Sequence, residues 1–192
     1  MSRTRTIKAA AMALPLLVLS ACFGTEGELI PAGEAVLPID QAMTLCEQDG
    51  SQCTDFIASG DAYINVVGGD AASQQDAVRL RFSGLGQIDG RQIYIIEMSS
   101  QKEDDPGTLI GVARKIHVNA EAVGDMETAV LECGDLDDDA SAEFTALGGE
   151  IDAGHYVTTC APSDLTMLKS FLRNVMWEEM ASADWWTEHG FD

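Results

Sequence analysis

The chain has 192 residues, with 32 acidic side chains against 11 basic ones and a formal net charge of −21. That balance repels nucleic-acid phosphates and anionic lipid surfaces, which excludes nucleic-acid binding, and it speeds encounter with cationic partners. The length suits a single domain with a sizeable core.

The first eight residues carry Arg3, Arg5 and Lys8 and no acid, and residues 9–20 are almost wholly apolar. This is a charged n-region followed by an h-region. A stable membrane-crossing helix needs about twenty apolar residues. The run here is shorter and is interrupted by Pro15, so it reads as a targeting segment. It ends in Leu19-Ser20-Ala21-Cys22, an apolar residue and two small ones before a cysteine.

That tetrad, at the end of such a leader, resembles the lipobox of bacterial lipoproteins. The resemblance covers residues 1–22 alone. It implies a diacylglycerol on the Cys22 thiol, cleavage before Cys22 and acylation of the new amino terminus. Two or three acyl chains anchor a protein stably where one does not, so it also implies permanent membrane residence. Phe23 stands where Asp favours inner-membrane retention in enterobacterial members, which implies a cell-envelope protein on the outer membrane, facing the periplasm. The other reading of these residues is an ordinary secretory signal cleaved after Ala21, which leaves Cys22 unmodified.

Loss of residues 1–21 leaves 171 residues, and with them go three bases and no acid, which takes the net charge from −21 to −24. Residues 22–39 contain Gly24, Gly27, Gly33, Pro31 and Pro38 and show no clear period. They read as the lipidated cysteine and a flexible tether spanning roughly 20–25 Å, or, near 36–39, as an edge strand. A single domain is expected over 40–192. With Cys22 lipidated, Cys46, Cys53, Cys133 and Cys160 remain, an even set in a compartment that permits disulfides. Of three connectivities, the favoured one joins Cys46 to Cys53 around a short polar loop and Cys133 to Cys160 between strand ends. The pairs lack the spacing of two to four residues that a four-cysteine zinc site expects.

Asp40 reads as the cap of a short helix through Leu45. Strands are expected at 62–67, 77–83, 92–98, 108–118, 128–133 and 156–160. In the second of these Val78, Leu80 and Phe82 face one way and Arg79 and Arg81 the other, the alternation of a half-buried antiparallel strand. Gly-Gly-Asp, Gly-Gln-Ile-Asp-Gly and Asp-Asp-Pro-Gly between them are turn chemistry. A short helix is expected at 141–147. From Leu165 the period becomes helical, with Leu168, Phe171, Leu172, Val175 and Met176 on one stripe, Ser163 as N-cap and Asp164 in the first turn. The predicted fold is α+β, an antiparallel β-meander of about five or six strands packed against a C-terminal amphipathic helix.

Asp135, Asp137 and Asp139 fall at the first three ligand positions of a calcium loop, but Ala140 and Ala146 replace its glycine and closing glutamate. The run therefore reads as solvated charge. His117, His155 and His189 stand singly, without paired metal-ligand spacing. No Gly-x-Ser-x-Gly elbow, Ser-x-x-Lys pair or phosphate-binding glycine loop occurs. Neither a metal nor a cofactor is expected.

Of the eight basic residues after the leader, six (Arg79, Arg81, Arg91, Lys102, Arg114, Lys115) fall in the central strands and turns. Arg79, Arg81 and Arg114 could form an anion- or partner-binding face, or pair with Glu97 and other acids across the sheet. Trp177 reads as core. Trp185 and Trp186 are either a packed clamp or an exposed interaction surface.

The functional expectation is a membrane-anchored, non-enzymatic binding or structural accessory protein of the envelope, with a cationic envelope protein as partner. The alternative is an envelope hydrolase or a module for a glycan or lipid, which a carboxylate pair in a deep pocket, or His117 close to His155, would favour.

Overall fold

The alternation of Val78, Leu80 and Phe82 with Arg79 and Arg81 sets the two faces of the central sheet. The computed structural model describes residues 22–46, 53–67, 70–71, 77–100, 107–116, 126–154 and 158–190. The expected leader, the loop between Cys46 and Cys53, Lys102, His117 and His155 lie outside the described residues.

In chain order the strands are β1 (Gly24–Thr25), β2 (Ala42–Cys46), β3 (Cys53–Ser59), β4 (Ala62–Val67), β5 (Asp70–Ala71), β6 (Val78–Ile88), β7 (Arg91–Ser100), β8 (Thr108–Lys115), β9 (Met126–Val130), β10 (Glu150–Ala153) and β11 (Thr158–Ala161). Helices α1 (Asp138–Ala146), α2 (Leu165–Asn174) and α3 (Ala183–Glu188), with a 3-10 turn at Cys133–Asp135, complete the described elements. Nine strands form one sheet in the order β1-β8-β7-β6-β4-β3-β2, with β5 beside β4 and β9 beside β8. Every pairing is antiparallel. Strands β10 and β11 make a separate hairpin. The protein is thus mostly antiparallel sheet with few helices.

One face of the sheet carries Met43, Phe56, Tyr63, Leu80, Phe82, Tyr94, Ile96, Ala113 and Met126 as a single buried cluster. Strands β2 and β9 lie beside each other although they stand at opposite ends of the hydrogen-bonded order. The sheet therefore curls around this cluster. The other face presents Leu85, Ile93, Ile95, Ile110, Val112 and Leu131 to the helices. Helix α2 buries Leu165, Leu168, Phe171 and Leu172 there, together with Met167. Burial of each such side chain stabilises by about 1.5–3 kcal/mol.

Two glycine positions are required by geometry. Asp89 and Gly90 both have positive φ, 51° and 77°, as the mirror-image two-residue hairpin turn demands, and they join β6 to β7 with Ile88 opposite Arg91. At Gly111 a Cβ would stand 2.5 Å from the Ala129 carbonyl oxygen, so strands β8 and β9 approach as they do because that residue has no side chain.

Several sequence expectations are corrected. Residues 22–39 are not a tether; they are woven into the domain. Phe23 is fully buried. Its N–H donates to Leu131 O at 3.0 Å and its carbonyl accepts from Ile110 N–H at 2.9 Å. Farther along, Val36 N–H donates to Phe82 O at 2.8 Å, and Tyr63 Oη accepts from Ile39 N–H at 3.0 Å. The glycines and prolines here supply turns, while isolated apolar residues (Phe23, Leu29, Ile30) each fill a site on the sheet. Such anchoring has no period for a sequence to display.

The expected helix from Asp40 is strand β2, because pairing with β3 brings Cys46 opposite Cys53. Strand number exceeds the expected five or six because β2 and β3 pair where no strand is expected, and the two-residue segments β1 and β5 pair as well. The strand expected to reach Cys133 ends at Val130. Helix α1 starts at Asp138, ahead of the expected 141, because Asp137 caps it by accepting from Ala140 N–H at 2.7 Å. The cap of α2 is Asp164, accepting from Met167 N–H at 2.8 Å, in place of Ser163. Both favoured disulfides, Cys46–Cys53 and Cys133–Cys160, are formed.

Candidate functional site

The chain leaves β9 through Leu131 and Glu132, and the Cys133–Cys160 disulfide fixes the next turn against β11. This turn, the start of α1, the end of α2 and helix α3 enclose a cavity of about 300 Å³. Five carboxylates line it: Glu132, Asp135, Asp137, Asp139 and Glu179. All five residues are solvent-exposed. The opposite wall is Trp185 with His189 stacked on its ring, centroids 4.6 Å apart. Both ring nitrogens of His189 face oxygen acceptors: Nδ1 lies 2.8 Å from Trp185 O, and Nε2 lies 3.2 Å from Asp135 Oδ2. The lining contains no Ser, Thr, Cys, Lys or Tyr, so it presents no nucleophilic hydroxyl, thiol or amine. Among the described residues no group of three His, Cys, Asp or Glu is arranged to hold a metal ion. What the cavity offers chemically is a negative field beside an indole face, which suits a cationic group.

Cys22 adjoins this site. It forms an antiparallel β-bridge with Glu132, which lines the cavity. It belongs to neither disulfide. The neighbouring Phe23 packs edge-on to Phe144 at 5.2 Å and stacks on Phe171 at 6.1 Å.

Of the two alternatives for the arginines, the shared binding face does not form. Arg79 pairs with Glu28 at 2.9 Å and Asp61 at 2.8 Å, and Arg81 pairs with the same two acids at 2.5 and 3.2 Å. Their charge is spent within this lattice, as the cross-sheet pairing alternative anticipates. Arg114 lies apart from them: its Nε bonds Glu127 at 2.7 Å and its guanidinium sits 4.3 Å over the Trp186 ring. Trp185 and Trp186 do not form an exposed surface either, being 7% and 0% exposed. Indole burial is satisfied by a bond from Trp186 Nε1 to Met180 O at 2.8 Å. Trp185 keeps a functional place only as a wall of the cavity.

Sequence reasoning singled out Asp135, Asp137 and Asp139 but read them as solvated charge, and it missed Glu132 and Glu179. Four of these acids lie within residues 132–139 and the fifth, Glu179, comes from the segment after α2, and nothing in that separation signals a shared cavity.

A buried acid holds the N-terminal segment to the sheet. Glu97, 1% exposed, accepts from both Leu29 N–H and Ile30 N–H at 2.6 Å through one oxygen. Burial pushes its carboxyl above the usual range, against the lowering effect of those two bonds and of Arg81. A raised folded value means that Glu97 contributes stability fully below its unfolded value of 4.5, and that this contribution is lost as pH rises through the folded value. In urea titrations, wild type should therefore lose stability as pH rises from 4.5 through the folded value of Glu97, in a way that Glu97→Gln does not share. Identical pH profiles for the two would contradict the assignment.

No protein-family model matches the chain, and no curated protein sequence or solved structure matches it significantly. Among the described residues no helix is long and apolar enough to cross a membrane.

Proposed function

We propose that this protein is an envelope lipoprotein, anchored through lipid on Cys22 to the outer membrane on its periplasmic side, that binds a cationic group of an envelope protein partner in the acidic cavity. The fold assigned to it is α+β, a curled antiparallel sheet whose principal cover is the amphipathic helix α2. The observation that carries the binding reading is the five-carboxylate cavity backed by Trp185 and His189. Support for the anchor comes from the Leu19-Ser20-Ala21-Cys22 tetrad after a charged and apolar leader. A charge of −24 after leader removal would steer a cationic partner from a distance. The lining offers no hydroxyl, thiol or amine nucleophile and its five carboxylates are open to water, which favours binding over hydrolysis.

Trp185 supplies the readout. A lysine-rich peptide titrated into the protein at low salt should perturb Trp185 fluorescence, and the affinity should fall as salt rises, because exposed charges are screened beyond about 10 Å at 0.1 M. The Asp135→Asn/Glu179→Gln variant should bind at least severalfold more weakly. Equal binding by the variant would sink the cavity as the site.

A further inference from the structure

The anchor cysteine and the folded body are not separated by a spacer. Phe23, the residue after Cys22, is 0% exposed and hydrogen-bonded on both sides of its peptide unit, to Leu131 and Ile110. Cys22 itself bridges to Glu132. One residue spans at most about 3.5 Å, whereas the expected tether would reach roughly 20–25 Å. A lipid attached at Cys22 is therefore held at a fixed point of the domain surface.

Of the elements around that point, β9, the 3-10 turn, α1 and the β10–β11 hairpin fall within residues 116–168, which include no Lys or Arg, whereas β8 and α2, which meet Phe23 through Ile110 and Phe171, carry Arg114, Lys115, Lys169 and Arg173. Glu132, Asp135, Asp137, Asp138 and Asp139 are exposed there. Such a surface is repelled by anionic headgroups and is matched by ammonium groups.

We propose that the lipidated domain lies directly against the bilayer with the Glu132 edge of the cavity at headgroup level, on a surface rich in zwitterionic, ammonium-bearing lipid. This rests on the lipoprotein reading above and specifies it: the cavity opens beside the membrane, so the protein partner presents its cationic group at the membrane surface.

The test uses full-length lipidated protein in vesicles of phosphatidylethanolamine and phosphatidylcholine with a headgroup-attached quencher. One fluorophore is placed at Asp138→Cys, in the first turn of α1, and another, in a second preparation, at Arg91→Cys. Arg91 opens β7 six residues before Glu97, which pairs with Ile110 beside Phe23, so it lies about 20 Å along the strand from the anchor level. Quenching at position 138 should exceed that at position 91 severalfold. Inserting a Gly/Ser linker of about ten residues between Cys22 and Phe23 should abolish the difference by restoring a tether. Equal quenching at both positions in the uninserted protein overturns the apposition. Mass spectrometry of the same preparations reads the lipid separately: an unmodified Cys22 overturns the anchor as well, whereas a lipidated protein with equal quenching overturns the apposition alone.

Discussion

Replacing Phe23 by alanine should destabilise the domain by about 3–5 kcal/mol. Phe23 has no exposed surface and touches Phe144 and Phe171, which also touch each other at 5.0 Å. Truncation removes one member of this aromatic triad and leaves a cavity between the sheet and helices α1 and α2, which cannot close without shifting both. Urea denaturation of the leaderless Cys22→Ser form, with and without Phe23→Ala, measures the loss. A residue in a flexible tether would change stability by less than about 0.5 kcal/mol, so a shift that small would contradict the embedded N-terminal segment.

Removing the Cys133–Cys160 disulfide with a double alanine substitution should cost about 2–4 kcal/mol. The bond spans a sequence separation of 27 and both sulfurs are buried. It also fixes the turn that carries Glu132 and Asp135 to one side of the cavity. The variant should therefore show altered Trp185 fluorescence in the folded state, besides a lower unfolding midpoint. Removing Cys46–Cys53, with a separation of 7, should cost less, because a shorter closed loop restricts the unfolded chain less. The reverse ranking in denaturant titrations would show that the longer bridge does not hold the cavity turn.

What the sequence made legible was the part governed by period. The alternation at Val78, Leu80 and Phe82 predicts β6 as far as Ser83, beyond which the strand continues to Ile88, and the stripe through Leu165, Leu168, Phe171 and Leu172 predicts α2. The even cysteine number leaves three connectivities, and the short polar loop between Cys46 and Cys53 favours the pairing that forms. What stayed hidden depends on contacts between distant segments. Phe23 and Ile30 look like scattered apolar residues until the sheet supplies their sites. Asp40 is a plausible helix cap, yet the Cys46–Cys53 pairing makes the following residues a strand.

The candidate site was visible only in part, because a run of Asp on a surface reads the same whether or not a wall faces it. The wall is Trp185, and Glu179 joins from the segment after α2. The tryptophan pair reads equally as an exposed patch or a packed clamp, and the packed alternative holds: Trp186 takes Arg114 on its face and donates its indole N–H to Met180 O.

The most direct measurement of the central claim is the intact mass of the protein extracted from its own membranes, with fragmentation of its N-terminal peptide. The lipoprotein reading is met by a chain that begins at Cys22 and carries diacylglycerol on the thiol. A chain that begins at Cys22 with an unmodified thiol, or one that retains residues 1–21, would contradict it.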